Sequence, residues 1–478
     1  MALPLARPVL ASTRMPRGDT LRDLAAIVFL CAPLGLIWNY VATGDRLFYL
    51  GLHHLDVVCV TVLSVLSLLV THLRRSRVMP ATLSLRWVVL LRAVLNAPYL
   101  LLVLVYAVMA ALPGFSPGPG MWVGLLGAFF AAQPRQAEAE LMAPGDVVVR
   151  VVRRLVVGYL LASAGLLVAA ALTGFFRVVT STGSRALGLG LFNGVFSALA
   201  GLLLLAGVLV LCLLGLVRAV RRGRESLCLA GAAAGVIGVG LAVASSLTSS
   251  TLLTLVESGQ EARTAVWGFP DPSFWVFVPL IALLTDPALR RTFPPLDGAV
   301  RWFGTAAILL AGGMVYGGYL WASVMFTVGW VNLGPRMAGD RVAENFRDGM
   351  AILALTGVAW GLTAGARRAL RRHPRTSRVW VLVMLVAVAV LGVPVVLLGG
   401  TLPGLELSQQ QPVFYLGLPL LVGLILLVPR PVRDYYAGRT ATPVTASAVT
   451  TAVSRPAQLP ATWRPVPRYP SGSGRPPG

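Results

Sequence analysis

Residues 367–378, RRALRRHPRTSR, run directly into residues 379–400, VWVLVMLVAVAVLGVPVVLLGG. The first segment carries six arginines and no acid; the second carries no charge at all. At about 1.5 Å per residue, a helix over 379–400 is about as long as the bilayer hydrocarbon is thick. A basic cluster abutting such a block is the signature of a transmembrane helix whose cytoplasmic end is marked by arginine.

The same pattern recurs outward in both directions. Apolar blocks fall near 24–42, 56–73, 93–112, 119–133, 155–175, 195–217, 227–247, 272–286, 299–320, 350–366, 379–400 and 412–429. The fold expected is therefore all-α: a polytopic bundle of about twelve spans. Composition agrees. The chain has 478 residues, 56% hydrophobic and 12% charged, with a mean hydropathy of +0.78. A soluble domain carries about 25% charged residues.

Basic clusters alternate with the blocks. With the N-terminus placed in the cytoplasm, the cytoplasmic segments hold Arg74, Arg75 and Arg77; Arg150, Arg153 and Arg154; Arg218, Arg221, Arg222 and Arg224; Arg290 and Arg291; and the arginines of 367–372. Only seven of the 40 basic residues then fall outside, against nine of the 18 acids. So lopsided a split favours both termini in the cytoplasm. Interfacial tryptophans such as Trp38, Trp122 and Trp275 on one side, and Trp87, Trp302 and Trp380 on the other, match the same span ends.

A net charge of +22 could point to nucleic acid, but its scatter between apolar blocks excludes that partner; the implied partner is the lipid bilayer. A membrane-protein partner or a homo-oligomer is compatible with this class. Every basic residue is arginine, as a GC-rich bacterial genome would give, and the expected location is the bacterial cytoplasmic membrane. Cys31, Cys59, Cys212 and Cys228 lack metal or disulfide spacing and read as small core residues. Residues 1–20 form a cytoplasmic N-terminal segment and 21–429 the helical domain. Residues 430–478, rich in Pro, Ser, Thr and Arg, read as a disordered cytoplasmic tail.

No catalytic, cofactor or metal motif stands out. His53, His54 and Asp56 cluster at an outer end but lack a third strong ligand. Gly357, Gly361 and Gly365 form a stripe, Gly231 and Gly235 another, and Gly312-Gly313 with Gly317-Gly318 a third; all are expected at helix–helix contacts. Pro33, Pro98, Pro279, Pro394 and Pro419 sit inside spans and would kink them. Polar groups at membrane depth are costly, so the deep asparagines Asn39, Asn96 and Asn193 are the candidate substrate-binding residues. Asn96 precedes Ala97-Pro98, where its amide can cap freed backbone or bond a neighbouring helix. Ionisable groups fall near span ends, with Arg92 free to snorkel. The blocks pair as six hairpins, without a residue-level repeat.

Trp38-Asn39, Leu91–Tyr99 (LRAVLNAPY), Ala131–Arg135 (AAQPR) and Thr285–Phe293 (TDPALRRTF) resemble uncharacterised multi-pass membrane proteins of actinobacteria. The resemblance implies the same helical plan over the span region and transfers no functional residue. Major-facilitator transporters share the twelve-span plan, but 71–77 lacks their Gly–Asp–Arg loop pattern. Three functional classes stay open. The first is a structural or accessory envelope protein. The second is a permease for an uncharged or lipid-like solute. The third is an envelope glycosyltransferase-like enzyme, for which no DxD appears.

Overall fold

The computed structural model describes residues 17–41, 48–75, 78, 85–109, 115–142, 145–182, 189–256, 272–294, 298–331, 340–399 and 413–438. Each of the twelve apolar blocks contains helix, the first only as far as Gly35. The first part of the chain forms α1 (Arg17–Gly35), α2 (Leu55–Arg75), α3 (Leu85–Met109), α4 (Pro119–Ala132) and α5 (Gln136–Glu140). Next come α6 (Val147–Thr182), α7 (Leu189–Arg222), α8 (Glu225–Val256), a 3-10 turn at Pro272–Phe277 leading into α9 (Leu280–Thr285), and α10 (Pro287–Arg290). The last part holds α11 (Gly298–Val331), α12 (Asp340–Arg372), α13 (Arg378–Gly399), α14 (Leu418–Leu427), entered through a π turn at Val413–Gly417, and α15 (Arg430–Tyr436).

That order repeats three times: three long helices, one short apolar helix, a proline break, and a very short helix. Pro134, Pro287 and Pro429 make the three breaks, and Pro119, Pro272 and Pro412 precede them. The second helix of each unit ends on a basic doublet: Arg74-Arg75, Arg221-Arg222 and Arg371-Arg372. The first helix enters through Gly18-Asp19…Arg22, Gly145-Asp146…Arg150 and Asp297-Gly298…Arg301. Packing recurs as well, since α3 lies on α4, α8 on α9 and α13 on α14. The repeating unit is thus four long or apolar helices rather than a hairpin. Its marks are single residues at element ends, which the variable apolar stretches between them conceal.

Among the described residues, six helices are long and apolar enough to cross a membrane: those of α2, α3, α6, α11, α12 and α13. The pair Val413–Leu427 and Arg430–Tyr436 is bent by 67°, and Pro119–Ala132, Glu225–Gly240 and Trp275–Thr285 are shorter apolar helices. The surface is inverted relative to a soluble protein. Along α13, Val379, Val383, Val386, Val390, Val393 and Leu397 are each more than half exposed, while Val381, Leu385, Val388 and Val395 are buried. An exposed apolar stripe of that length is unfavourable in water and suits a hydrocarbon solvent.

The first block departs from its expected course. The spacing predicts one helix over 24–42; α1 instead ends at Gly35, two residues past Pro33. The β-branched and aromatic run Ile37–Val41 forms β1. It pairs antiparallel with β2 (Phe48–Leu50) and with β3 (Phe115–Pro117), in the order β2-β1-β3. Trp38, fully buried there, meets Tyr99 and Tyr106 edge-on at centroid distances of 6.1 and 5.7 Å.

At the centre stands α4. All its residues except Phe129 and Ala132 are buried, and it touches α1, α2, α3, α8, α9 and β1. Glycine permits this. A Cβ at Gly127 would lie 2.6 Å from the Leu30 backbone nitrogen, and one at Gly124 would collide with the Tyr99 ring. The segment is therefore a fully enclosed helix and not a loop at the surface. At the other end of the chain, α15 occupies 430–436, where composition places the start of a tail. Val432 and Tyr435 are buried, and Tyr435 and Tyr436 pack on Phe303. Residues 439–478 lie outside the described residues.

Candidate functional site, a buried ionic junction

Four segments converge below α4. The first turns of α1 present Asp19, Arg22 and Asp23, which share one face because they are three and four residues apart. The α4 helix stops at Ala132 because Pro134 has no amide hydrogen and forces the residue before it out of helix. Gln133 and Arg135 are accordingly extended, with ψ of 145° and 157°. The turn drives Arg135 and Glu138 into the bundle, where they meet Arg92 of α3 and Thr71 of α2.

The contacts interlock. Arg92 donates to Glu138 and, at 3.2 Å, to Thr71 Oγ1. The backbone nitrogen of Arg135 donates to Glu138 Oε2 at 2.8 Å, which caps α5. The Arg135 guanidinium pairs with Asp23. His72 Nε2 lies 3.8 Å from the same carboxylate. Gln136 N donates to Asp19 Oδ1 at 2.8 Å, placing an acid at the positive start of α5. Arg92 and Arg135 have no exposed side-chain surface. Burial, together with the like charge of Arg92, lowers Arg135 to about 10, which leaves it cationic at neutral pH.

The junction extends into the second unit. Arg291 donates to the Ala139 and Met142 carbonyls, the latter at 3.0 Å. Asp286, buried between α9 and α10, accepts from Ala288 N at 2.7 Å and Leu289 N at 3.2 Å. A parallel cluster joins the second unit to the third, where Glu225 binds Arg290 at 3.2 Å and Arg301 at 3.1 Å. Chemically, these arrangements hold helices together. Glu138, Glu225 and Asp286 are taken up by guanidinium and amide donors and Asp23 pairs with Arg135, while Asp19 Oδ2 is buried without a hydrogen-bond partner among the described residues. Among the described residues, no group of three His, Cys, Asp or Glu is placed to hold a metal.

Asn39 and Asn96 have different surroundings. Asn39 lies in β1, where its Oδ1 is 2.9 Å from His54 Nε2. His54 Nδ1 in turn meets Tyr106 Oη at 3.1 Å, and burial lowers the imidazole's pKa. Asn96 lies ten residues before Tyr106 on α3, about 15 Å along the axis. Its Nδ2 donates at 2.8 Å to Ser67 Oγ and to the Arg92 carbonyl, and not to the Val94 carbonyl that Pro98 leaves free. Asn193 is on α7, outside the residues whose side chains are described.

Arg92 does not snorkel. It turns inward because Glu138 offers a buried partner there. The sequence carries a weak signal for this junction: Glu138 and Arg135 follow a proline directly after an apolar block, and Asp19, Arg22 and Asp23 share a helical face. Only the tertiary contact of α1 with α5 gives those residues one environment. His54 turns to Asn39 and Tyr106, and the Tyr106 hydroxyl also lies 3.4 Å from Asp56 Oδ2, so one tyrosine links His54 to Asp56.

No curated protein and no solved structure matches the chain. Residues 19–435 match the family described as Domain of unknown function (DUF7937). The matched range begins at Asp19, the first acid of the ionic junction, and closes at Tyr435, the buried tyrosine of α15. It embraces all three units, and the chain belongs to that family.

Proposed function

We propose that the chain is a twelve-span scaffold of a bacterial cytoplasmic membrane, with both termini in the cytoplasm and a structural or accessory role in the cell envelope. Its partners are the lipid bilayer and either a second membrane protein or another copy of itself; nucleic acid is not among them. The observation that carries this reading is α4. A transport path needs an element that two sides can reach in turn, whereas α4 is buried among its neighbours and approached by backbone at Gly127. The buried ion pairs at its lower end tie α1, α3 and α5 to it. A solute route through Asn39 and Asn96 has less support. Asn39 Oδ1 and Asn96 Nδ2 are taken by protein partners, while Asn96 Oδ1 is buried without one among the described residues, and Asn39 lies in a strand.

Hydrogen–deuterium exchange of the full chain in lipid nanodiscs tests the reading. A scaffold keeps amides 119–132 protected to the level of global unfolding, since no substate opens them. Exchange of that segment within minutes, with the rest of the bundle protected, would instead favour the permease.

A further inference from the structure

The arginine-rich ends of the helices are not equivalent among the three units. In the second unit, the basic end of α7 has an acid beside it. Arg153 donates to the Arg221 carbonyl, and Glu225 follows directly to bind Arg290 and Arg301. In the third unit, no acid occurs between Asp348 and Glu406. The end of α12 nevertheless carries Arg367, Arg368, Arg371 and Arg372, followed by His373. These side chains line an open cleft of about 630 Å³ that reaches Met314 of α11. Among the described residues, none of the four arginines has an ion-pair partner. The buried Nε of Arg367 donates to nothing, and its Nη1 meets only the Met314 sulfur at 3.9 Å.

Such a group of guanidinium donors is costly left as it stands. Arg367 and Arg371, like Arg368 and Arg372, are four residues apart, where like charges repel along a helix. The C-terminal end of the α12 dipole relieves part of that repulsion. It leaves the forked donors unfilled, and their geometry matches a phosphate oxygen pair. The cleft opens where an apolar span ends, at Arg372, and hence at headgroup depth.

We propose that the α11–α12 cleft binds a phosphate group, carried by an anionic phospholipid, with Arg367 and Arg371 as its inner donors and Arg368 and Arg372 at its rim. The site goes beyond the scaffold reading and stands whether or not that reading holds. An acid-free basic cleft is what distinguishes the third unit from the second.

The test uses the full chain reconstituted in nanodiscs of equal parts phosphatidylglycerol and phosphatidylcholine, extracted gently and weighed by native mass spectrometry. The wild type should retain phosphatidylglycerol over phosphatidylcholine. Arg371→Gln and Arg372→Gln, both at a helix end that tolerates change, should each cut that preference about fivefold. Arg150→Gln, which removes an exposed arginine at the start of α6, should leave it unaltered. Equal retention of the two lipids would overturn the proposal. So would an equal loss in Arg150→Gln, which would mean that only diffuse surface charge is at work. Competing inorganic phosphate separates the sources. Displacement of the lipid at millimolar phosphate would assign the cleft to the phosphate group itself, and resistance would assign it to the lipid. Both results support a phosphate site.

Discussion

At the scale of single residues, the junction below α4 is governed by what happens when a charge loses its partner in a dry setting. Glu138 serves two donors at once: the Arg92 guanidinium directly, and the Arg135 backbone through the cap, which also positions the Arg135 side chain on Asp23. Breaking a buried pair on one side costs about 3–5 kcal/mol, whereas replacing both partners with apolar groups is often close to neutral. Glu138→Met alone should therefore lower stability by about 3 kcal/mol, measured by denaturant unfolding of the full chain in detergent micelles. Adding Arg92→Met should recover most of the loss. A double variant as unstable as the sum of the two singles would mean that the pair is not a coupled unit. Little of this was legible beforehand. Position along the chain assigned Arg92 to the interface, and only the return of α5 beneath α3 makes an inward course favourable.

Among the elements, glycine has two distinct uses, and spacing alone does not separate them. Gly357, Gly361 and Gly365 form the most regular stripe in the chain, yet a Cβ at Gly361 would meet nothing within 4 Å. The tight approach is in α4, at Gly124 and Gly127, in a helix that is apolar all round. A helix with no polar face gives no periodicity to read, since every side is buried. Gly231 and Gly235 of α8 behave as their spacing predicts, packing on Leu216, Leu284 and Ile281. Two substitutions separate the cases. Gly127→Ala should destabilise by about 2 kcal/mol, the scale of overpacking a tight core. Gly361→Ala should be neutral or should stabilise by up to about 1 kcal/mol through helix propensity. Melting of the two variants side by side measures the difference, and equal effects would mean that Gly127 is no more tightly packed than Gly361.

For the whole molecule, the three-unit order makes a topological demand. If each unit contributes four crossings, the ends of its second helix and of its short terminal helix must all lie on one side. Reporter fusions after residues 77, 224 and 375, and after 145, 292 and 435, mark those equivalent points. All six should report cytoplasm, in agreement with the arginine distribution. One periplasmic result would end the twelve-crossing arrangement from that point onward. The short helices α4 and α9 are the critical elements, because each must complete its unit in fewer residues than a full-length span. The proline breaks after them turn the chain back under the bundle, which lets the ionic clusters stitch one unit to the next.

The sequence by itself determined that the chain is helical and made for lipid, since charge-free blocks and arginine clusters have few other physical uses. It also located the apolar blocks, although α3, α6, α8, α11 and α12 each run about two turns or more past an expected end. Only the tertiary structure decided which helix is central, where the first block yields to a strand, and which charges are buried. Those outcomes depend on contacts between residues more than a hundred positions apart, such as Asp23 with Arg135. Composition and local spacing carry no information about such pairs. The three-unit order sat between these levels. Its marks are present in the sequence, but they become a repeat only when the helices between them are seen to pack alike.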